Sequence, residues 1–289
     1  MPFTTLIDAA ALRGLAGKAG VAVIDCRFDL MNPEGGRRAY LAGHIPGASY
    51  ADLNKDLSAA VTAASGRHPL PSPQQFASRL DLWRIGRETQ VIAYDDSGGT
   101  FAARLWWMLR WVGHPQAAVL DGGLQAWIRA GGSLQTGEEQ LLSAAGAAAT
   151  AKFSPRLDPA AVIDTPGVEA WLRDPANLLI DARAPERYLG VVEPIDAVAG
   201  HVAGAVNQPF SANLGADGRF LPPADLRGLW EKRLGGRSPG QVAAMCGSGV
   251  TACHNLLSLE VAGLPGAKLY AGSWSEWIRD PRRPIARGV

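Results

Sequence analysis

Four signals recur in the same order in the two halves of this 289-residue chain. Val21-Ala22-Val23-Ile24-Asp25-Cys26-Arg27 pairs with Leu178-Leu179-Ile180-Asp181-Ala182-Arg183, and Gly43-His44-Ile45-Pro46-Gly47-Ala48 pairs with Gly200-His201-Val202-Ala203-Gly204-Ala205. Val91-Ile92-Ala93-Tyr94-Asp95-Asp96-Ser97-Gly98-Gly99-Thr100 pairs without a gap with Val242-Ala243-Ala244-Met245-Cys246-Gly247-Ser248-Gly249-Val250-Thr251. Asp121-Gly122-Gly123-Leu124-Gln125-Ala126-Trp127 pairs with Ala271-Gly272-Ser273-Trp274-Ser275-Glu276-Trp277. By subtraction the offsets are 156, 157, 151 and 150 residues. Solenoid repeats are far shorter, at about 20–50 residues, so the pattern means one globular domain made twice. The length suits two domains.

Each half alternates apolar strands with helical patterns. In the first, strands are expected at 21–25, 91–95 and 117–120, and helices at 72–83, 100–112 and 124–130. Such alternation implies an α/β fold, a parallel sheet with helices on both faces. The expected division is 1–135 for the first domain, 136–160 for a linker and 161–289 for the second domain. The linker rests on Ser143-Ala144-Ala145-Gly146-Ala147-Ala148-Ala149-Thr150-Ala151, which has little to bury.

Ligands in open parallel sheets sit beyond the carboxyl ends of the strands. One cysteine lies at such an end. The apolar run 241–245 leads into Cys246, followed by Gly247-Ser248-Gly249-Val250-Thr251, and a helical pattern over 250–263 starts at once. Two glycines let the backbone curl so that several N–H groups converge, and the helix adds its positive end. A thiol in such surroundings ionises more readily than the usual value of about 8.5. Cys246 therefore reads as a nucleophile in an anion-stabilising cradle. Cys26 and Cys253 read as small buried hydrophobes. In the first half Asp95 stands where Cys246 stands in the second, so only the second domain is expected to react, with the first supplying structure and part of the cleft.

Composition excludes more than it suggests. Net charge is +1, and no cluster of Lys/Arg with aromatics points to nucleic acid. Three cysteines are too few for a disulfide framework and suit a reducing compartment. The N-terminus lacks the pattern of a signal peptide. The apolar run Leu105 to Val112, broken by Arg110, is far too short to span a membrane. A cytoplasmic protein is expected.

Taken together, Asp-x-Arg after a strand, Gly-His-Ile-Pro-Gly-Ala, Cys246-Gly-Ser-Gly-Val-Thr-Ala-Cys-His254 and Leu269-Tyr-Ala-Gly-Ser-Trp-Ser-Glu-Trp277 resemble the two-domain rhodanese-type sulfurtransferases. The likeness runs from about Leu6 to Ile285. It implies two tandem rhodanese-like domains and covalent catalysis in two half-reactions. Cys246 would take the outer sulfur of a donor, carry it as a persulfide, and yield it to a thiophilic acceptor such as cyanide, a small thiol, thioredoxin or another sulfur-accepting protein. The amides of Gly247, Gly249, Val250 and Thr251 would hold the charged sulfur. No metal or organic cofactor is implied.

The same resemblance bears on the donor. Thiosulfate-preferring members carry basic residues in the two positions after the cysteine; this chain has Gly247 and Ser248, as mercaptopyruvate-preferring members do. Arg187 matches the arginine that grips the donor anion, and a planar guanidinium does so with two bonds. A second arginine about ten residues on is absent, since 193–198 reads Glu-Pro-Ile-Asp-Ala-Val, which keeps thiosulfate open as the alternative donor. Ser248 is expected to relay protons with His44, whose carboxylate partner would be Asp29 or Glu34. His201, Asp181, Arg183, Asp25 and Arg27 read as structural, and Trp106, Trp107, Trp111, Trp274 and Trp277 as core.

Three other readings are weaker. Cysteine-dependent phosphatases need an arginine six residues after the cysteine, and here that residue is Ala252. Cys246, Cys253 and His254 lack the spacing of a metal site. A non-catalytic interaction module would not need a cysteine in the second loop any more than the first half needs one at Asp95.

Overall fold

In a computed structural model, which describes residues 1–138 and 152–288, each half builds a five-stranded sheet. The first uses β1 (Leu6–Ile7), β2 (Val21–Asp25), β3 (Ser49–Tyr50), β4 (Gln90–Tyr94) and β5 (Ala117–Leu120), in the order β1-β5-β4-β2-β3. The second uses β6 (Val162–Ile163), β7 (Leu178–Asp181), β9 (Val206–Asn207), β10 (Val242–Met245) and β11 (Lys268–Tyr270), in the order β6-β11-β10-β7-β9. All these pairings are parallel. The two orders superimpose position by position, so the sequence repeat is a repeat of topology. A small antiparallel pair, β8 (His201–Val202) with β12 (Ile285–Ala286), is added in the second half.

The flanking helices are α1 (Ala9–Leu15), α2 (Gly35–Ala42), α3 (Pro73–Leu82), α4 (Ala102–Trp111) and α5 (Gly123–Arg129), then α6 (Thr165–Trp171), α7 (Pro185–Tyr188), α8 (Pro223–Leu234), α9 (Thr251–Val261) and α10 (Ser273–Trp277). Local chemistry fixes their ends. Helix α3 starts at Ser72, whose hydroxyl and Gln75 form a reciprocal capping box with Pro73 in the first turn. The central strands β4 and β10 are buried at every residue, as a parallel sheet covered on both faces requires. Helices α4 and α9, which follow them, are buried over 102–109 and 252–259, with the polar Arg104, His254, Asn255 and Ser258 among the buried residues. Trp106 is buried, while Trp111 lies half-buried at the end of α4. The small-residue tract 143–151 lies outside the described residues.

The described residues fall into two compact units that are not divided at one point in the chain. Met1–Ala59, Pro71–Leu157 and Asp217–Arg219 form the first; Ala60–Leu70, Asp158–Ala216 and Phe220–Val289 form the second. The stretch Ala60–Leu70, encoded between β3 and α3, therefore belongs to the second unit, and this decides the composition of its site.

Each unit carries the same internal clamp. Asp25 receives hydrogen bonds from the Arg27 guanidinium, which also donates to the Gly43 carbonyl at 2.7 Å. Asp181 and Arg183 repeat this, with Arg183 reaching the Gly200 carbonyl at 2.8 Å. The Asp-x-Arg motif thus ties a strand end to the Gly-His turn.

His114 follows α4 and is wholly buried, with its ring near Phe153. Burial lowers its pKa, with backbone groups of Thr89 and Gln116 opposing. The folded protein thus binds a proton less readily there than the unfolded chain, so stability falls as pH drops below the unfolded value of about 6.5. Urea denaturation at about pH 8 and about pH 5 should show wild type losing more stability than His114→Phe. Equal losses would mean that His114 is not the titrating group.

Candidate active site

Strand β10 delivers Cys246 to its carboxyl end, where the residue is 2 % exposed. Gly249 follows at φ +76°, and a Cβ there would lie 2.5 Å from the Ala271 carbonyl oxygen. Only glycine fits on both counts. This curl lets the Gly249 N–H donate to Cys246 Sγ at 3.1 Å. The turn before α10 holds the loop from behind. Cys246 N–H donates to Ser273 Oγ, Trp274 N–H to the Cys246 carbonyl, and Ser275 N–H to the Gly247 carbonyl. Ser273 has φ +54°, a strained conformation for a residue with a side chain. Its hydroxyl, which also donates to the Tyr270 carbonyl, locks it there.

The matching loop of the first unit displays what such a curl does with an anion. Asp95, fully buried, accepts from the amides of Ser97 and Gly99 on Oδ1 and of Phe101 and Ala102 on Oδ2, all at 2.8–2.9 Å. Burial pushes this carboxyl upward, and the four amides pull it back. Asp95 fills its own cradle and leaves no nucleophile in it.

Ser248 Oγ lies 2.7 Å from a histidine Nδ1, but the histidine is His68. His44, expected in this role, is wholly buried in the first unit, where Nδ1 meets the Tyr40 carbonyl at 2.8 Å and the ring stacks on Tyr40. His201 does the same with Tyr188. A histidine with one arrangement in both units serves the turn, whichever residue occupies the cradle. The carboxylates expected beside His44 lie elsewhere too. Glu34 is exposed near Lys55, and Asp29 lines a first-unit cavity of about 570 Å³ with Arg27, Phe28 and Asp96.

Arg187, on the short helix α7, faces the cysteine loop. A Cβ at Gly247 would lie 3.5 and 3.6 Å from its guanidinium nitrogens. Nε and Nη2 bind Glu193, and Nη2 binds Asp196 at 3.0 Å. A second guanidinium, missed in the sequence, stands still closer. Arg67 Nη2 would be 2.8 Å from that Cβ, and Arg67 also pairs with Asp196. Behind them Arg183 pairs with Asp181 and reaches Glu193 at 3.3 Å. Three arginines thus face three carboxylates. Burial raises the Glu193 carboxyl, but Arg187 and the amides of Ile195 and Asp196 outweigh this and hold it below the usual range. At Asp196 burial wins over Arg67, and its carboxyl sits above that range.

The model of the rhodanese-like domain matches residues 8–130 and again 166–280. The chain belongs to the rhodanese family. A Pseudomonas aeruginosa protein named a probable 3-mercaptopyruvate sulfurtransferase is 48% identical over the whole of both chains. SseB of Mycobacterium tuberculosis, whose name gives thiosulfate as the donor, is 41% identical over 98% of this chain and 97% of its own. The crystal structure of SseA from Escherichia coli, described as a 3-mercaptopyruvate enzyme of rhodanese fold, superimposes with a TM-score of 0.78 at 30% identity, covering 95% of this chain and 100% of that one. This rhodanese is therefore a sulfurtransferase of the mercaptopyruvate or thiosulfate type.

The remaining candidates have plain places. Burial pushes the Cys26 thiol well above its ordinary value, as suits an inert core residue. Cys253 donates to the Gly249 carbonyl from within α9. Val250 is buried and Thr251 half-buried at the start of α9. Among the described residues no His, Cys, Asp or Glu group is arranged to hold a metal ion, and no helix is long and apolar enough to cross a membrane.

Proposed function

We propose that this protein takes sulfur from 3-mercaptopyruvate and carries it as a persulfide on Cys246. The Cys246 thiolate attacks the donor sulfur. The S–C bond breaks, its electron pair passes into the enolate of pyruvate, and a proton reaching that carbon completes pyruvate. Ser248 and His68 are the pair for this proton movement. A thiophile then takes the outer sulfur and restores the thiolate. The Asp95 loop supports the cradle: its curl directs four amides at one anion, and a persulfide's outer sulfur needs the same donors. Cyanide, a small thiol or thioredoxin suits as acceptor. All three cysteines are free, which suits a cytoplasmic setting.

The observation that carries the donor assignment is the charge of the rim. Arg67, Arg183 and Arg187 are matched one for one by Asp181, Glu193 and Asp196, and no cation follows Cys246 in the loop. A near-neutral rim with directed guanidiniums suits a monoanionic carboxylate better than a dianion. Steady-state kcat/KM for 3-mercaptopyruvate and thiosulfate, with Cys246→Ser as control, tests this. The expected result is clear preference for mercaptopyruvate, lost in the variant. Preference for thiosulfate by the same cysteine would transfer the assignment to that donor.

Replacing the relay gives a second expectation. His68→Gln should lower kcat with mercaptopyruvate by about 10²–10⁴-fold, whereas His44→Gln should act through stability. Equal kinetic losses in the two would dismiss His68 as the relay.

A further inference from the structure

Two arginines from distant parts of the chain close on one carboxylate beside the nucleophile. Arg187 comes from α7, Arg67 from the Ala60–Leu70 stretch, and Asp196 bonds to both. Arg67 is held in place by its backbone, whose N–H donates to Ser275 Oγ at 3.1 Å. Ser275 N–H in turn donates to the Gly247 carbonyl. The guanidinium also keeps a buried Nε without a hydrogen-bond partner among the described residues. Its tip occupies the space that a side chain at position 247 would need, and Gly247 has no left-handed backbone that would demand glycine. The glycine therefore makes room for Arg67.

We infer that Arg67 and Arg187 jointly bind the donor's carboxylate, that Asp196 holds the same pair until the donor displaces it, and that this internal carboxylate disfavours dianionic donors. The inference rests on the mercaptopyruvate reading and adds its specificity elements. A guanidinium pair converging on one carboxylate already has the geometry for a second carboxylate of the same kind. The donor's carboxylate takes the place of Asp196 on the two guanidiniums, one negative charge for another. A dianion brings one negative charge more than the carboxylate it displaces, and that excess is opposed by Glu193 and by the displaced Asp196 alongside. Asp196 thus acts by weakening all anions and thiosulfate most.

The test uses the full chain and substitutions at Arg67, Asp196 and Gly247. Arg67→Gln should raise KM for mercaptopyruvate by at least about tenfold, with a much smaller loss in kcat, and Arg67→Lys should recover part of it. The penalty should be largely absent with mercaptoacetone, which lacks the carboxylate. Asp196→Asn should raise kcat/KM for thiosulfate by about tenfold and for mercaptopyruvate by less. Gly247→Ala, which displaces the Arg67 tip without altering charge, should raise KM for mercaptopyruvate in the same direction as Arg67→Gln. Binding of pyruvate to the Cys246→Ser protein, measured by calorimetry, supplies a readout free of turnover. If Arg67→Gln added to that protein weakens pyruvate while wild type fails to turn over mercaptopyruvate, the carboxylate site stands and the donor reading falls. If Arg67→Gln changes neither KM nor pyruvate binding while wild type turns over mercaptopyruvate, the donor reading stands and this inference is overturned.

Discussion

Gly249→Ala should cost the protein both stability and turnover. The residue sits at φ +76°, and the added Cβ would lie 2.5 Å from the Ala271 carbonyl oxygen. Placing a non-glycine residue in this conformation costs about 1–3 kcal/mol. The backbone clash adds to that, because Ala271 leads directly into the turn that binds Cys246 and Gly247. The kinetic loss has a separate origin. The Gly249 amide donates to Cys246 Sγ; alanine keeps that N–H, but the shifted backbone turns it away from the sulfur, and losing one donor from a charge-stabilising site typically costs about 10²–10³ in rate. Urea denaturation and kcat/KM with mercaptopyruvate read the two effects independently. Gly98, the counterpart in the first unit at φ +69°, isolates the backbone contribution: Gly98→Ala should reproduce the strain without displacing an amide from sulfur. Wild-type kinetics in a destabilised Gly249→Ala protein would show that sulfur transfer does not depend on the placement of this amide.

What could be read from the chain depended on whether a feature is local. The strand at Val21–Asp25 and the strand at Ala117–Leu120 appear as expected, because continuous apolar runs of that length specify buried parallel strands. The run at 91–95 is shifted by one, as Asp95 leaves the strand to bind the loop amides. The two-residue edge strands β1 and β3 carry no pattern long enough to announce them. At the candidate site, Cys246, its glycines and Arg187 lie in motifs that the sequence displays, and their roles there are proposals. The places of His68 and Arg67 were not legible, because they lie against a loop some 180 residues away in sequence. One signal did exist. The stretch 51–72 between β3 and α3 is longer than its counterpart 208–222 between β9 and α8, and that excess breaks the repeat. A duplicated domain places its asymmetric function in what is not duplicated. By the same logic His44 was a poor candidate, since His201 repeats it.

The loss of Asp181 should be the most damaging single change to the second unit. Its side chain is wholly buried at the end of β7, and its partner Arg183 is 1% exposed. Asp181 accepts the Arg183 amide and side chain through contacts of 2.6–3.1 Å. Burial works against the Arg183 charge, but Asp181 and Glu193 outweigh it, and the guanidinium stays above its ordinary value. Asp181→Ala leaves that buried cation with Glu193 at 3.3 Å and the Gly200 carbonyl. Breaking a buried pair from one side costs about 3–5 kcal/mol. The damage should also reach the donor site by two routes. Arg183 would draw on Glu193, which Arg187 already uses, and its guanidinium lies over the Trp274 ring, whose residue donates to the Cys246 carbonyl. A higher KM for mercaptopyruvate should therefore accompany the lower urea midpoint. Asp25→Ala removes the same clamp from the first unit, where Asp25 holds the Tyr94 hydroxyl as well. Its stability loss should be as large, and its effect on KM smaller, since Arg27 shares no carboxylate with the arginines of the donor rim. If Asp181→Ala and Asp25→Ala raised KM equally, loosening of the fold rather than the Arg183–Glu193–Arg187 chain would explain the kinetics.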